Sequence, residues 1–255
     1  MTEPRQVKRY GWLPDLPDQR DLLYSAPALP PGALPARVDL RPGCPPVYDQ
    51  GELGSCTAQA IAGAIEFDQL RQGITEFTPS RLFIYYNERV IERSVELDGG
   101  AMPRDGIKVV ASVGAPPEVD WPYDVERFAE RPSSRAYRDA ARHRVSRYER
   151  LPRDLGFMKA CLASGFPFIF GFAVYESFEG PEVRRSGRLG LPAAGERVIG
   201  GHAVLAVGYI ERERRFIVRN SWGRSFGLDG YFTIPYQYLL RRRLSGDFWT
   251  IRMVR

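Results

Sequence analysis

Cysteine, histidine and lysine are all scarce in this chain of 255 residues, and each scarcity narrows its chemistry. The 3 cysteines are an odd number without a CxxC pair, which argues against a disulfide framework and against a zinc site. Cys44, in a proline-rich loop, and Cys161, in a segment that reads as a helix, have the character of small packing residues. Only Lys8, Lys108 and Lys159 stand among the 36 cationic side chains, an arginine bias that suggests a GC-rich genome. No stretch approaches the ~20 apolar residues of a membrane-spanning helix. Met1 to Asp21 alternates charge and proline without the apolar core of a signal peptide, so the expected location is cytoplasmic, or secreted by a route without a cleavable signal. No internal repeat or low-complexity tract occurs. The net charge of +5 raises the question of nucleic acid. Most arginines, however, alternate with Glu and Asp, as in Tyr123 to Asp139, and the dense Arg241-Arg242-Arg243 cluster lacks interleaved aromatics; both argue against a nucleic-acid partner.

What is present centres on Asp49-Gln50-Gly51-Glu52-Leu53-Gly54-Ser55-Cys56-Thr57-Ala58. The glycines permit a tight turn, Ser55 is a candidate N-cap, and Ala58, Ile61, Ala62 and Ile65 have the spacing of a helix burying one face. Cys56 then lies in the first turn. Free backbone N–H groups and the positive end of the helix dipole there favour thiolate over thiol and lower its pKa.

A thiolate nucleophile needs a base, and there are only 2 histidines. His143 lies in Arg142-His143-Arg144-Val145-Ser146-Arg147, whose alternation reads as an exposed strand face among cations. His202 opens Ala203-Val204-Leu205-Ala206-Val207-Gly208-Tyr209, an apolar run bounded by glycines that reads as a buried strand. The segment Phe216 to Asn220 follows the charged turn Glu211 to Arg214, so the two form a hairpin that brings His202 and Asn220 together, with a register open by a residue or two. Asn220 can then hold one ring nitrogen of His202 and leave the other for the thiol.

In these blocks the chain resembles the papain family of cysteine peptidases, and Leu-Gly-Ser-Cys-Thr-Ala is similar to a bacterial branch of it. The matching stretch runs roughly from Val47 to Ile234. The resemblance implies Cys56 as nucleophile, His202 as base, Asn220 as its orienter, and Gln50 with the Cys56 backbone N–H as the oxyanion hole. Trp222 would cover the His202–Asn220 hydrogen bond. Gly99-Gly100 resembles the family's glycine pair that lets an extended substrate approach, although a plain turn accounts for it equally. With Met102, Gly200 and Gly201 these residues would line the substrate cleft, with a roomy apolar pocket. Leu53, Thr57, Gly201 and Phe226 depart from the plant and lysosomal pattern, which carries a disulfide cysteine, a tryptophan, an acid or amide, and a second tryptophan in those places. No cofactor or metal is implied.

Before Tyr123 the periodicity is helical: the Cys56 helix, Ser80 to Ile91 capped at Thr78-Pro79, and Arg104 to Val113. Beyond it strands dominate, at Val145 to Tyr148, Phe168 to Val174, His202 to Ile210, Phe216 to Asn220, Tyr231 to Ile234 and Phe248 to Met253, with a helix near Leu155. The expected fold is therefore α+β and papain-like, a helical lobe (47–123) facing a β-rich lobe with a barrel-like antiparallel sheet (124–255), the active site between them. Residues 1–46 form an N-terminal extension before the peptidase domain at 47–255. Its residues Tyr10, Trp12, Leu13, Leu16, Leu22, Leu23 and Tyr24 are apolar anchors in a polar stretch, which fit a belt packed away from the cleft or a segment crossing it as an inhibitor. The expected activity is thiol-dependent hydrolysis of a peptide or protein substrate. An amidase or acyl transferase would keep the same residues, and a peptide-binding effector without turnover is a further alternative.

Overall fold

The computed structural model describes residues 10–25 and 34–254. Residues 1–9 and 26–33 of the expected extension, and Arg255, lie outside the described residues. Seven helices, α1 (Cys56–Gln72), α2 (Arg81–Glu92), α3 (Pro103–Ser112), α4 (Ser134–Ala140), α5 (Leu155–Ala163), α6 (Pro181–Ser186) and α7 (Tyr236–Leu240), accompany seven strands among the described residues. The strands are β1 (Arg37–Asp39), β2 (Val145–Arg150), β3 (Phe168–Tyr175), β4 (Val198–Ile210), β5 (Arg215–Arg219), β6 (Tyr231–Pro235) and β7 (Ser245–Val254). They form one antiparallel sheet in the order β2-β7-β3-β4-β5-β6, with β1 added against β4. The sheet stays open, with β2 and β6 as its ends, rather than closing into a barrel. A helical lobe around α1 to α3 and a β-rich lobe make up the expected two-lobed α+β architecture.

The N-terminal helix α1 departs from the one-sided helix expected. Cys56 to Gln69 are all buried, because the helix runs between the sheet and α2 and α3. Small residues Ala58, Ala60, Ala62, Gly63 and Ala64 allow that approach; a Cβ on Gly63 would come within 3.7 Å of the Arg219 guanidinium. Its polar residues are paired: Thr57 donates to Glu88 at 2.8 Å and Tyr48 donates to Glu66. Helix α2 is capped by Ser80, whose hydroxyl accepts the Phe83 N–H at 3.1 Å, so the cap lies two residues beyond Thr78. Pro103 occupies the first turn of α3, where its missing N–H leaves no bond unmade. On the far side of the sheet a core of Phe168, Phe170, Phe172, Phe178, Phe216, Phe232 and Phe248 fills the β-rich lobe.

Most strand ends extend beyond the expected ones, most of all in β4, which begins at Val198 and so includes Gly200 and Gly201, whereas β5 stops at Arg219, one residue short of Asn220. His143 lies in the turn before β2, not on a strand face, half-buried against Phe77 with ring centroids 4.5 Å apart. All three cysteines are free, as their reading as packing residues requires for Cys44 and Cys161.

Candidate active site

The turn that delivers Cys56 is held from two sides. Gly51 takes a left-handed conformation (φ +56°) and donates to Asp49 at 2.9 Å. The Gly54 N–H donates to both carboxylate oxygens of Asp98, at 2.9 and 3.2 Å. Tyr85 donates to the same carboxylate at 2.5 Å and accepts the Gly100 N–H at 3.2 Å. Asp98 thus ties the turn before Cys56 to the glycine pair of the same lobe. Sequence reasoning passed over it, although an acid directly before Gly99-Gly100 was visible. Ser55 does stand at the N-cap position, but its hydroxyl makes no capping bond; it pairs with Tyr123 at 2.6 Å and accepts from Gln59 at 3.2 Å. The N–H groups of the first turn of α1 are therefore not taken by the Ser55 side chain.

His202 and Asn220 meet as the hairpin predicted, with the His202 Nε2–H donating to Asn220 Oδ1 at 2.8 Å. A bulge is responsible. Pairs near the turn match Gly208 with Ile217, whereas after the irregularity Ala206 pairs with Val218 and Leu205 with Arg219. Continuing by one residue sets Asn220 opposite Val204, on the same face as His202 two residues along. Without the bulge Asn220 would face Leu205, and the alternation of side chains would send it to the other face. The ring is enclosed by Trp222 (centroids 5.0 Å apart), Phe172 (5.8 Å) and Phe178 (6.3 Å). Trp222 is itself buried against Phe178 and Phe226. Cys56 reaches the same strand, its sulfur accepting the N–H of Ala203, the residue after His202, at 3.3 Å. The His202 Nδ1 is buried and has no hydrogen-bond partner among the described residues.

Gln50 is fixed by both ends of its amide. Its oxygen accepts from Ser221 at 2.6 Å and its nitrogen donates to Leu53 O at 2.7 Å, while its backbone N–H bonds Ser221 O at 2.9 Å. One amide hydrogen remains beyond the Leu53 bond.

The described part of the N-terminal segment lies over this site. The Gly11 backbone lies close enough to Cys56 for its N–H to favour the thiolate. Gly11 O accepts from Ala101 N at 2.8 Å, Trp12 N donates to Gly201 O at 2.9 Å, and Leu13 N donates to Ala101 O at 3.0 Å. A Cβ on Gly100 would lie 2.2 Å from Gly11 O, and one on Gly200 would lie 2.5 Å from the Tyr10 side chain. Tyr10 donates to Glu179 and packs beside His202 and Trp222. Further along, Asp21 accepts from Arg104 and Arg150 at 2.6 and 2.7 Å, and Tyr24 N donates to Arg150 O at 2.8 Å. Of the expected anchors, Tyr24 is buried while Leu16, Leu22 and Leu23 are each more than 60% exposed. The grip is aromatic, backbone and ionic instead. Of the expected wall residues, Gly100, Gly200 and Gly201 touch the segment. Gly99 stands open, and Met102 caps α3, its N–H bonding Glu92 at 2.7 Å.

Burial overrides the helix dipole at Cys56. Burial pushes the Cys56 thiol up to about 12, against the N–H bonds of Ala203 and Gly11 that favour thiolate. Burial likewise takes His202 down to about 4, although the Asn220 bond favours the imidazolium. In the covered state both groups are neutral near pH 7, the reverse of the reactive thiolate expected from the sequence.

Comparison with known proteins agrees with this geometry. Residues 34–239 match the papain family cysteine protease model. The chain is 40% identical over 272 residues to an uncharacterized peptidase C1-like protein of Acanthamoeba polyphaga mimivirus, covering 97% of this chain and 88% of that one. It is 29% identical over 213 residues to cathepsin S of Rattus norvegicus, covering 78% of this chain and 59% of the relative's length. The crystal structure of xylellain, a cysteine protease from Xylella fastidiosa, superposes with a TM-score of 0.90 at 45% identity, covering 100% of both chains. On the family model and the likenesses to the mimivirus protein and to xylellain, the chain belongs to the papain family of cysteine proteases and is a cysteine peptidase.

Proposed function

We propose that this peptidase hydrolyses peptide bonds with Cys56 as nucleophile, His202 as acid and base, Asn220 as the residue that orients His202, and Gln50 with the Cys56 N–H as the oxyanion hole, and that residues 10–24 of its own chain hold it inactive. The observation that carries the catalytic reading is the convergence of Cys56 Sγ on the Ala203 N–H, directly beside a His202 whose Nε2 is committed to Asn220.

With Nε2–H bonded to Asn220, Nδ1 is the nitrogen available to take the thiol proton. The thiolate attacks the scissile carbonyl, and the oxyanion that forms takes the free Gln50 amide hydrogen and the Cys56 N–H. The imidazolium protonates the leaving amine. Water, deprotonated by the same ring, then hydrolyses the thioester and returns the thiol. Trp222 and its aromatic neighbours keep water from competing for the His202–Asn220 bond.

Inhibition has two components on this reading. The backbone of Gly11 to Leu13 occupies the hydrogen-bonding groups of Ala101 and Gly201 that an extended substrate would use. The same cover desolvates Cys56 and His202 and suppresses their ion pair. Residues 10–24 then act as a regulatory extension of the body that begins with β1. The test is alkylation by iodoacetamide followed by mass spectrometry, beside hydrolysis of a fluorogenic peptide library. Conditions that displace the segment should label Cys56 and raise turnover together; turnover that survives Cys56→Ala would overturn the mechanism.

A further inference from the structure

The two donors of the proposed oxyanion hole stand at opposite ends of a turn, Gln50 before it and Cys56 after it, with Gly51 and Gly54 between. Gly51 holds a left-handed backbone, and glycine reaches many conformations at little cost, so the turn by itself does not fix the spacing of its ends. A tyrosine from outside the turn spans it. The Tyr123 hydroxyl donates to Gln50 O at 2.9 Å and lies 2.6 Å from the hydroxyl of Ser55, the residue before Cys56. A carbonyl only accepts, so the single Tyr123 hydrogen goes to Gln50 O, and Ser55 donates to the phenol oxygen. Ser55 in turn accepts from Gln59 Nε2 at 3.2 Å, and Gln59 Oε1 accepts from Arg81 Nη1 at 3.2 Å. Arg81 is held by both carboxylate oxygens of Glu118 and lies over the rings of Tyr123 and Tyr48, 4.5 and 4.7 Å from their centroids. Ser55 and Gln59 are buried, so the chain of donors runs out of reach of solvent.

Resting on the proposed oxyanion assignment, we infer that Tyr123 is a positioning residue for the reaction: its hydroxyl sets the spacing between the Gln50 amide and the Cys56 N–H, and Arg81, acting through Gln59 and Ser55, holds that hydroxyl in place. Every bond from Arg81 through Gln59, Ser55 and Tyr123 to Gln50 O donates in the same direction, and hydrogen bonds aligned head to tail strengthen one another. The guanidinium supplies the charge at one end and also fixes the Tyr123 ring from its face. Use of the Ser55 hydroxyl in this chain explains why it does not cap α1. The remaining bonds of Gln50, with Ser221 and with Leu53 O, orient its side chain and its N–H but do not reach Ser55. Oxyanion donors act through placement, and a displacement of about 1 Å is enough to cost on the order of 10²-fold in rate. A bridge that joins the residue carrying one donor to the neighbour of the other is therefore in a position to control turnover without touching substrate.

The test divides kcat/KM, for the fluorogenic peptide that the unaltered full chain cleaves fastest, by the rate of Cys56 alkylation with iodoacetamide. Both rates need the cover displaced and the thiol ionised, but only hydrolysis builds an oxyanion, so the ratio isolates the hole. Tyr123→Phe keeps the ring and removes the hydroxyl, and its ratio should fall about tenfold, the worth of one buried hydrogen bond. Arg81→Met keeps the apolar stem and removes the guanidinium; its ratio should fall about threefold, and the pair should fall little further than Tyr123→Phe alone, because they break one chain. In a Gln50→Ala background, Tyr123→Phe should cost about twofold or less. Melting followed alongside confirms that each variant is folded. An unmoved ratio in Tyr123→Phe, with Gln50→Ala lowering it, would overturn the bridge and leave the oxyanion assignment standing. A tenfold loss that persists in the Gln50→Ala background would also overturn it, because Tyr123 would then act on something other than the spacing to Gln50. No loss in Gln50→Ala itself would overturn the oxyanion assignment, and the bridge with it.

Discussion

Adding one methyl group to the body of the enzyme should switch it on. Gly171 sits in the middle of β3 with ordinary strand backbone, where alanine is slightly favoured over glycine. The new Cβ would lie 2.0 Å from the Trp12 indole, and the nearest atoms it meets all belong to that ring. The ring must leave its place on the sheet. The segment then loses roughly 2–3 kcal/mol of apolar contact, taking about 100 Å² of buried ring at ~25 cal/mol per Å². It also loses about 1 kcal/mol for the bond that Trp12 Nε1 donates to Asp247. A total near 3 kcal/mol corresponds to a shift of about 10²-fold in the covered-to-open ratio. The assay is the rate of Cys56 carboxymethylation in full-length Gly171→Ala against the unaltered chain, with melting followed alongside. Labelling should accelerate by one to two orders of magnitude while the midpoint changes by a few degrees at most. Equal or slower labelling in a folded variant would refute the idea that the indole holds the cover in place.

Cys56→Ala should abolish hydrolysis and leave the fold intact, since the thiol contributes one small buried group, and His202→Ala should be comparably severe; circular dichroism with a fluorogenic peptide checks both. Gln50→Ala should lower kcat by on the order of 10²-fold, as removal of one oxyanion donor does, with KM nearly unchanged. Asp15 gives the cover a pH dependence. Burial and the neighbouring Asp247 push its carboxyl up to about 7 in the covered state, despite donors from Arg104 and Trp249, with Arg150, Asp21 and Glu92 nearby. A raised acid binds its proton more tightly when covered, so its stabilising contribution is fully present below the ordinary value near 3.8 and is lost as pH rises through about 7. Hydrogen exchange of residues 10–24, corrected for intrinsic rate, should therefore accelerate beyond expectation between pH 5 and 8, and Asp15→Asn should flatten that excess. Dithiothreitol should leave the melting midpoint unchanged, because all three cysteines are free.

The parts of this molecule that were legible in its sequence are those where a local pattern and a chemical requirement coincide. Cys56 was visible because a glycine turn, a small residue and an apolar period follow one another. His202 was visible because few histidines exist and one begins a buried run. The bulge between Ala206 and Gly208 was not, since nothing in Ala-Val-Gly distinguishes a regular strand from one that slips by a residue, yet it decides on which face Asn220 lies. Helix α1 misled for another reason: a helix packed on all sides keeps polar residues such as Thr57 and Glu66 inside by pairing them with Glu88 and Tyr48, partners remote in sequence. The state of Cys56 was read from its helix alone, whereas its complete burial reverses the direction. Asp98, Asp247 and Gly171 belong to the same class, each meaningful only against a residue far along the chain.

That the cover grips through so few side chains follows from its being tethered. A free inhibitor must overcome the loss of translational freedom, but a segment joined to the body through a short connection acts at an effective concentration in the millimolar range. An intrinsic dissociation constant near ~1 μM, about 8 kcal/mol, is then enough to hold the covered state about a thousandfold over the open one. One indole bonded to Asp247, three backbone bonds along Ala101 and Gly201, and the Asp21 pairing with Arg104 and Arg150 are of that order. Residues such as Leu16 and Leu23 can therefore stay in solvent. On the proposed mode of inhibition the same arithmetic sets the limit on tightness, because the bonds the cover makes to Gly201 and Ala101 are ones that an extended substrate would use. Strengthening those groups against the cover strengthens them for substrate as well. The pairing of Asp21 with Arg104 and Arg150 lies beyond the residues that face Cys56, and it can be tuned without removing a backbone group at Gly201 or Ala101.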